Sequence, residues 1–322
     1  MTFRMMTKII ENSKNNPFVS VIIPNYNHAK YLDERIQSVL NQTYQNFEVI
    51  ILDDKSTDNS VEVINKYRDN PHVSHIVVNS ENSGSTFKQW HKGLELAKGE
   101  LVWIAESDDA CDVTLLETLV NGYVDNNCVI AFCRSCKYDC EGRKTHYSHQ
   151  DVLEEDVVMK GSDFISRYMI DRNVVANASS AIFNRRVALA VDKQYMTMRG
   201  EGDWLFWIEI MEQGNVSFIS QELNFFRLYN LNTTKQLIRK GVNMFEHKIV
   251  FEYLVKKNYI LPQNIKTEKV KMISLIRNHN DFESKKVERK IWNVWDKYRI
   301  WRVYLFLGGI KLEIIKFIKT IW

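Results

Sequence analysis

"VSVIIPNYNHAKYLDERIQSVLNQTYQNFEVIILDD", residues 19–54, contains two apolar runs separated by one helical pattern. The first run, Val19 to Pro24, is rich in β-branched residues and is closed by proline. Leu32, Ile36, Val39 and Leu40 then recur at helical spacing. The second run, Phe47 to Leu52, stops at the paired acids Asp53 and Asp54. Fully apolar strands alternating with amphipathic helices predict a parallel sheet covered by helices on both faces. Outward from this unit the alternation continues. Residues 56–70 open with helix-capping types, 74–79 form a third strand and 87–99 a helix closed by Gly99. Residues 100–105 form a fourth strand.

That fourth strand ends in "WIAESDDACD", residues 103–112, with Glu106, Asp108 and Asp109 crowded within four positions. Like charges repel unless a cation or strong donors compensate them. Acids at a helix start are the plainer reading, because they complement the helix dipole. In parallel sheets, however, ligands bind beyond the carboxyl ends of the strands. Three such ends carry polar groups here: Asn25-Tyr26-Asn27, Asp53-Asp54 and Glu106-Ser107-Asp108-Asp109. Their convergence describes a site.

Beyond residue 127 the pattern is mixed. Residues 128–138 and 179–184 read as strands, and 203–214 as a helix burying Trp204, Trp207, Ile208 and Met211. Residues 215–220 and 223–229 read as two more strands. The chain divides into an N-terminal tail (1–17), a catalytic domain (18–238) and a basic helical region (239–322). Residues 239–322 carry 19 Lys and Arg against 8 Asp and Glu, a net of +11, whereas the remainder carries 24 against 32. Within this region Val303, Phe306, Leu307, Ile310, Ile314, Phe317 and Ile321 share one helical face. Such a stripe fits either an anionic membrane interface or a helical cap or dimer contact. Gly308-Gly309 weakens any single long helix there.

The N-terminus lacks the continuous apolar core of a secretory signal, and no apolar run reaches membrane-spanning length. A cytoplasmic protein is expected, peripheral on the inner membrane face if the tail binds lipid, with no nucleic acid as partner. The five cysteines are then expected as thiols. Cys133, Cys136 and Cys140, followed by His146 and His149, lack the paired spacing of a zinc knuckle and fit a strand equally well.

The stretch 19–60 closely resembles the opening of inverting family 2 glycosyltransferases, and "ENSGSTFKQWHKGLELAKGELVWIAESDD" continues the resemblance through an Asp-x-Asp-type motif. "GEGDWLFWIEI", residues 200–210, resembles the segment holding that family's base. The resemblance covers about residues 18–230 and implies a Rossmann-like glycosyltransferase A fold with a C-terminal helical extension. It implies Mn²⁺ or Mg²⁺ at Asp109, with Asp108 on the donor ribose or on metal-bound water. It further implies that Asp54, and secondarily Asp53, read the nucleotide base, with Tyr26 stacked on that base beside Pro24.

Asp203 matches the general base that takes the acceptor hydroxyl's proton, with Glu201 its near substitute and helix capping its plainer role. The chain departs from the family at Lys88, His91 and Lys92, where many relatives have an Arg-Asn pair. It departs again at Tyr229, where relatives often have a histidine two residues after an arginine. Arg227 remains to face the diphosphate, or else forms a surface ion pair, and Asn230 or water completes the metal's coordination. The implied reaction moves a sugar from a nucleotide-sugar, a UDP-sugar first, to a hydroxyl of a cell-surface glycan on a lipid-linked acceptor. The rival readings are a non-catalytic sugar-nucleotide or glycan-binding protein and a sugar-1-phosphate nucleotidyltransferase. The first would have lost an acid and the second would show an early glycine-rich loop, and neither sign is present.

Overall fold

The computed structural model describes residues 16–139, 141–227, 233–278 and 282–295, with side chains 233–235, 275 and 278 excepted. The chain divides into two compact units, Met1–Asn230 and Leu231–Trp322.

In the first unit the alternation read from the sequence becomes β1 (Val19–Asn25), α1 (Ala29–Leu40), β2 (Phe47–Asp53), α2 (Ser60–Asn65), β3 (Val73–Val78), α3 (Thr86–Leu96) and β4 (Leu101–Ile104). There follow β5 (Ala110–Cys111), α4 (Leu115–Asp125), β6 (Cys128–Tyr138), β7 (Lys144–Thr145), β8 (Val157–Lys160) and α5 (Gly161–Tyr168). The unit ends with β9 (Ala181–Asn184), α6 (Arg185–Ala190), α7 (Gly202–Met211) and β10 (Asn215–Arg227). All ten strands join one sheet in the order β3-β2-β1-β4-β9-β6-β10-β5, with β7 beside β6 and β8 beside β10.

The first four strands are parallel, with Val19 opposite Phe47 and Leu101. Beyond β4 the sheet is mixed, because β9 runs antiparallel to both β4 and β6. The two strands expected at 215–220 and 223–229 are one bent strand, β10, whose register against β6 shifts around Glu222. The bend lets its first half pair with β8 and its second half with β5.

The runs of β1, β2 and β4 are buried on both sides, as the interior of a parallel sheet requires, while β3 at the edge is partly exposed. Val19, Val21 and Ile23 join Leu32, Ile36 and Val39 of α1 and Leu116, Leu119 and Val120 of α4 in one core. Ile22 faces the opposite side, against α3. A Cβ on Gly93 would come within 2.5 Å of the Ile22 side chain, so only glycine lets this helix lie so close. Nearly every residue of α7 is buried, including Trp204, Trp207, Ile208 and Met211. A helix apolar all round is a core helix. Phe206 and Trp207 pack on Phe183 of β9 and Trp90 of α3.

Pro24 lies inside β1 rather than at its end, opposite Leu52. It is tolerated because Ile22 and Pro24 direct their backbone toward β4, whose last residue is Ile104. No ladder bond is lost there. Cys111, Cys128, Cys133 and Cys136 are buried free thiols, and burial pushes the Cys133 thiol up to about 12. Among the described residues no group of three or more His, Cys, Asp or Glu is arranged to hold a metal, and Cys140 lies outside them.

The second unit holds α8 (Thr233–Arg239), α9 (Val242–Lys256), α10 (Ile265–Asn278) and α11 (Lys285–Trp295). Ile291, Trp292 and Trp295 are buried, and the Trp295 indole donates to the Met244 carbonyl at 2.8 Å. Among the described residues no helix is long and apolar enough to cross a membrane. The apolar stripe expected at 303–321 lies outside the described residues, as do Tyr229 and Asn230.

Candidate active site

The loops after β1 and β2 are knitted together. The Asn25 amide donates to Asp53 Oδ2 at 2.7 Å, and Ser56 closes the Asp53 carboxylate through its N–H (2.8 Å) and Oγ (2.6 Å). Asn27, in the left-handed region at φ 58°, accepts the Thr57 N–H at 2.7 Å, and Asp58 accepts the Ala29 N–H at 2.9 Å. This stitching leaves Tyr26 between the two loops with its side chain 46% exposed. The turn thus presents the apolar body of an aromatic ring to solvent.

Asp54 is buried, and its carboxylate accepts the Asn79 amide (2.7 Å), the Gln89 amide (2.9 Å) and both the N–H and hydroxyl of Ser83. It thereby orders the chain between β3 and α3. Asp53 is fully buried in the same way. The structure puts both acids at the expected strand end but commits their oxygens to internal donors.

The acidic end of β4 is built differently at each position. Ser107 is buried and bonds His28 Nδ1 at 2.8 Å, which ties the loop to the start of α1. Glu106 is half-buried and accepts the Trp90 indole N–H at 2.8 Å. Asp109 is completely buried, and its carboxylate accepts Asn177 Nδ2 (2.8 Å), Ser179 Oγ (2.8 Å) and the Arg227 N–H (3.0 Å). The buried Arg35 guanidinium stands 3.9 Å away. Asp108 is half-buried, whereas its neighbour Asp109 is wholly enclosed.

Burial first, and then the Asp108 charge, push Glu106 up to about 8 and Asp109 up to about 6, against the pull of Arg35. The folded protein therefore holds a proton on Glu106 more tightly than the unfolded chain does. The stability this confers is complete below the ordinary value of 4.5 and is lost as pH rises through about 8. Glu106→Gln, which cannot ionise, should be about as stable as the parent at pH 5 and more stable at pH 8. Urea unfolding at the two pH values checks this, and an unchanged difference would contradict it.

Asp203 stands at the start of α7, which packs close to α3 through glycine. A Cβ on Gly202 would meet Phe87 and the Tyr195 carbonyl at 2.6–2.7 Å. Asp203 Oδ1 accepts the Trp204 N–H (2.8 Å) and Oδ2 accepts the Asn173 amide (2.9 Å). Trp90 joins the two halves, because its indole holds Glu106 while its rings pack on α7.

Arg227 lies at the acidic loop but is 3% exposed. Its Nε donates to the Asp108 carbonyl at 2.8 Å and its Nη2 to Glu34, and it is sandwiched between Tyr31 and Tyr138 at 4.7 and 4.5 Å. These contacts brace the acidic loop, and the partner of its ion pair sits on α1. The departures on α3 are likewise engaged: Lys88 with the Ser83 carbonyl, Lys92 with Asn79 and buried His91 with the Tyr195 hydroxyl.

Sequence reasoning missed Arg35, Asn173, Asn177, Ser179 and Trp90. Arg35 did leave a signal, since it interrupts the apolar face of α1 marked by Leu32, Ile36 and Val39. A charge on such a face needs a buried partner. The asparagines lie in a segment with no periodicity to read.

The candidate site is thus an acid-tipped parallel sheet edge with an exposed tyrosine and a carboxylate at the start of a buried helix. The glycosyl transferase family 2 model matches residues 20–191, more than half of the chain, and the protein belongs to that family. It is 36% identical over 144 residues to glycosyltransferase GlyG of Streptococcus pneumoniae, covering 44% of this chain and about half (48%) of that protein. It is 27% identical over 217 residues to the putative teichuronic acid biosynthesis glycosyltransferase TuaG of Bacillus subtilis, covering 66% of this chain and 80% of the relative. Among solved structures it resembles S. aureus TarS residues 1–349 in complex with UDP-GlcNAc. That likeness has a TM-score of 0.54 at 18% identity over 86% of this chain and 71% of the other, and it concerns the fold.

Proposed function

We propose that this chain transfers a sugar from a UDP-sugar to a hydroxyl of a cell-surface glycan, with inversion at the anomeric carbon. The observation that carries the reading is the acidic loop at the end of β4, which buries Asp109 in a lattice of donors and leaves Asp108 partly exposed. Membership of family 2, the teichuronic acid name of one relative and the UDP-GlcNAc complex of a structural neighbour support the donor and the acceptor class.

Tyr26 stacks on the base, and Asp53 and Asp54 shape its pocket through the loops they hold, with Pro24 beneath. Asp108, rather than Asp109, is the acid that meets a divalent cation, and Asp109 and Arg227 hold its backbone in place. Three acids within four positions concentrate negative charge that such an ion would offset. Mg²⁺ and Mn²⁺ commonly take one or two carboxylates and fill their remaining positions with substrate phosphates and water. When bound, the ion supplies charge neutralisation for the departing diphosphate. Asp203 accepts the proton of the acceptor hydroxyl as that oxygen bonds to the anomeric carbon and the bond to the UDP oxygen breaks. A lipid-linked acceptor at the cytoplasmic membrane face, approached by residues 301–322, completes the proposal.

UDP release from a panel of nucleotide-sugars, with Mn²⁺ and with a chelator, tests it. UDP-linked donors should turn over fastest and only with the metal. Turnover of dTDP- or GDP-linked donors alone, or none of any donor, would overturn it.

A further inference from the structure

The segment Asn173–Ser179 holds both carboxylate sites from one short stretch of chain. At one end Asn173 Nδ2 donates to Asp203 Oδ2 at 2.9 Å. At the other, Asn177 Nδ2 and Ser179 Oγ donate to Asp109 Oδ2, each at 2.8 Å. Both amides are oriented by a second bond. Asn173 Oδ1 accepts the Val175 N–H at 3.1 Å, and Asn177 Oδ1 accepts the Ser179 N–H at 2.8 Å. In each case the oxygen is committed, so the NH₂ must face the carboxylate.

The segment is itself pinned from below. The Asn173 carbonyl bonds His149 Nε2 at 2.8 Å, and the Val174 carbonyl accepts the amide of fully buried Gln150 at 2.9 Å. Gln150 in turn accepts the Ser135 N–H of β6 at 2.8 Å, which fixes the segment to the sheet. Val174 and Val175 are completely buried.

We infer that this segment is a spacer that sets the position of Asp203 relative to the acidic loop, and that Asn173 is a positioning residue for the base. This rests on the reading of Asp203 as base. An amide donor suits the task, because it holds one carboxylate oxygen without offering that carboxylate a titrating partner.

A double-mutant cycle on the full chain tests the inference, with UDP release from UDP-GlcNAc, or from the donor the panel ranks above it, as the rate. Asn173→Ala should lower kcat about 10- to 100-fold, the scale of a misplaced catalytic group. Donor KM and UDP affinity by titration should stay within about twofold, because the donor side is untouched. Asn173→Asp keeps the Val175 bond and the shape but sets a second carboxylate against Asp203, so its pH–rate profile should shift to higher pH, which a folding artefact would not produce. In the Asp203→Asn background the Asn173 change should cost little more, since a group with no base to position has nothing left to contribute. Equal losses in both backgrounds, or full turnover of both Asn173 variants, would overturn the positioning role while leaving the base intact. Full turnover of Asp203→Asn would remove the base and the positioning role together.

Discussion

Asp203→Asn is expected to lower turnover by about 10²–10⁴-fold, the range for loss of a general base, while UDP binding is unchanged. The geometry separates the chemistry from the fold. The asparagine keeps the volume and one acceptor oxygen at the start of α7, where Asp203 now accepts the Trp204 N–H and the Asn173 amide. One of these two donors will face an NH₂ instead of an oxygen. The cost is about 1.5–3 kcal/mol, that of a hydrogen bond to a charged group. That loss cannot empty the native state of a typical domain. The measurements are steady-state UDP release, UDP titration and thermal unfolding of the same preparation. Near-full turnover would move the base to Glu201, which precedes α7 as its N-cap residue. A fall in UDP affinity matching the fall in rate would place Asp203 on the donor instead.

The sequence made the strand ends legible and the supporting lattice largely illegible, for physical reasons. Runs such as 47–52 are short, mostly apolar, rich in β-branched residues and bounded by polar stretches, which favours strand over helix, so β1, β2 and β4 and the acids that follow β2 and β4 are legible. What a strand end points at is decided by tertiary contacts. Asp108 and Asp109 are adjacent acids with identical local signals, yet one is half-buried and the other receives donors from residues 177, 179 and 227. Arg227 shows the same limit, since a guanidinium between two tyrosines and one reaching for phosphate look alike in one dimension. β10 was divided in two because Ser220 to Glu222 break the apolar pattern, although the backbone runs on through an irregular register.

The adjacent acids give the sharpest contrast. Asp108→Asn should leave the fold intact and abolish the Mn²⁺-dependent part of UDP binding, together with transfer, because the neutral amide withdraws the negative charge that attracts the cation. Its backbone carbonyl, which Arg227 uses, is unaffected by the change. Asp109→Ala should fail earlier, in folding. The substitution strips the partner from Arg35, a fully buried guanidinium 3.9 Å away, and leaves the donors of Asn177, Ser179 and the Arg227 N–H unpaired. Breaking a buried ion pair from one side costs about 3–5 kcal/mol, a large share of the roughly 5–15 kcal/mol that holds a domain together. Asp109→Asn should fall between the two, since it fills the space and keeps one acceptor but withdraws the charge opposite Arg35. Urea unfolding ranks the three proteins, and UDP titration with Mn²⁺ and with a chelator separates them by function. If Asp108→Asn keeps its full metal enhancement while a folded Asp109→Asn loses it, the ion belongs to Asp109, and the buried lattice must open to admit it.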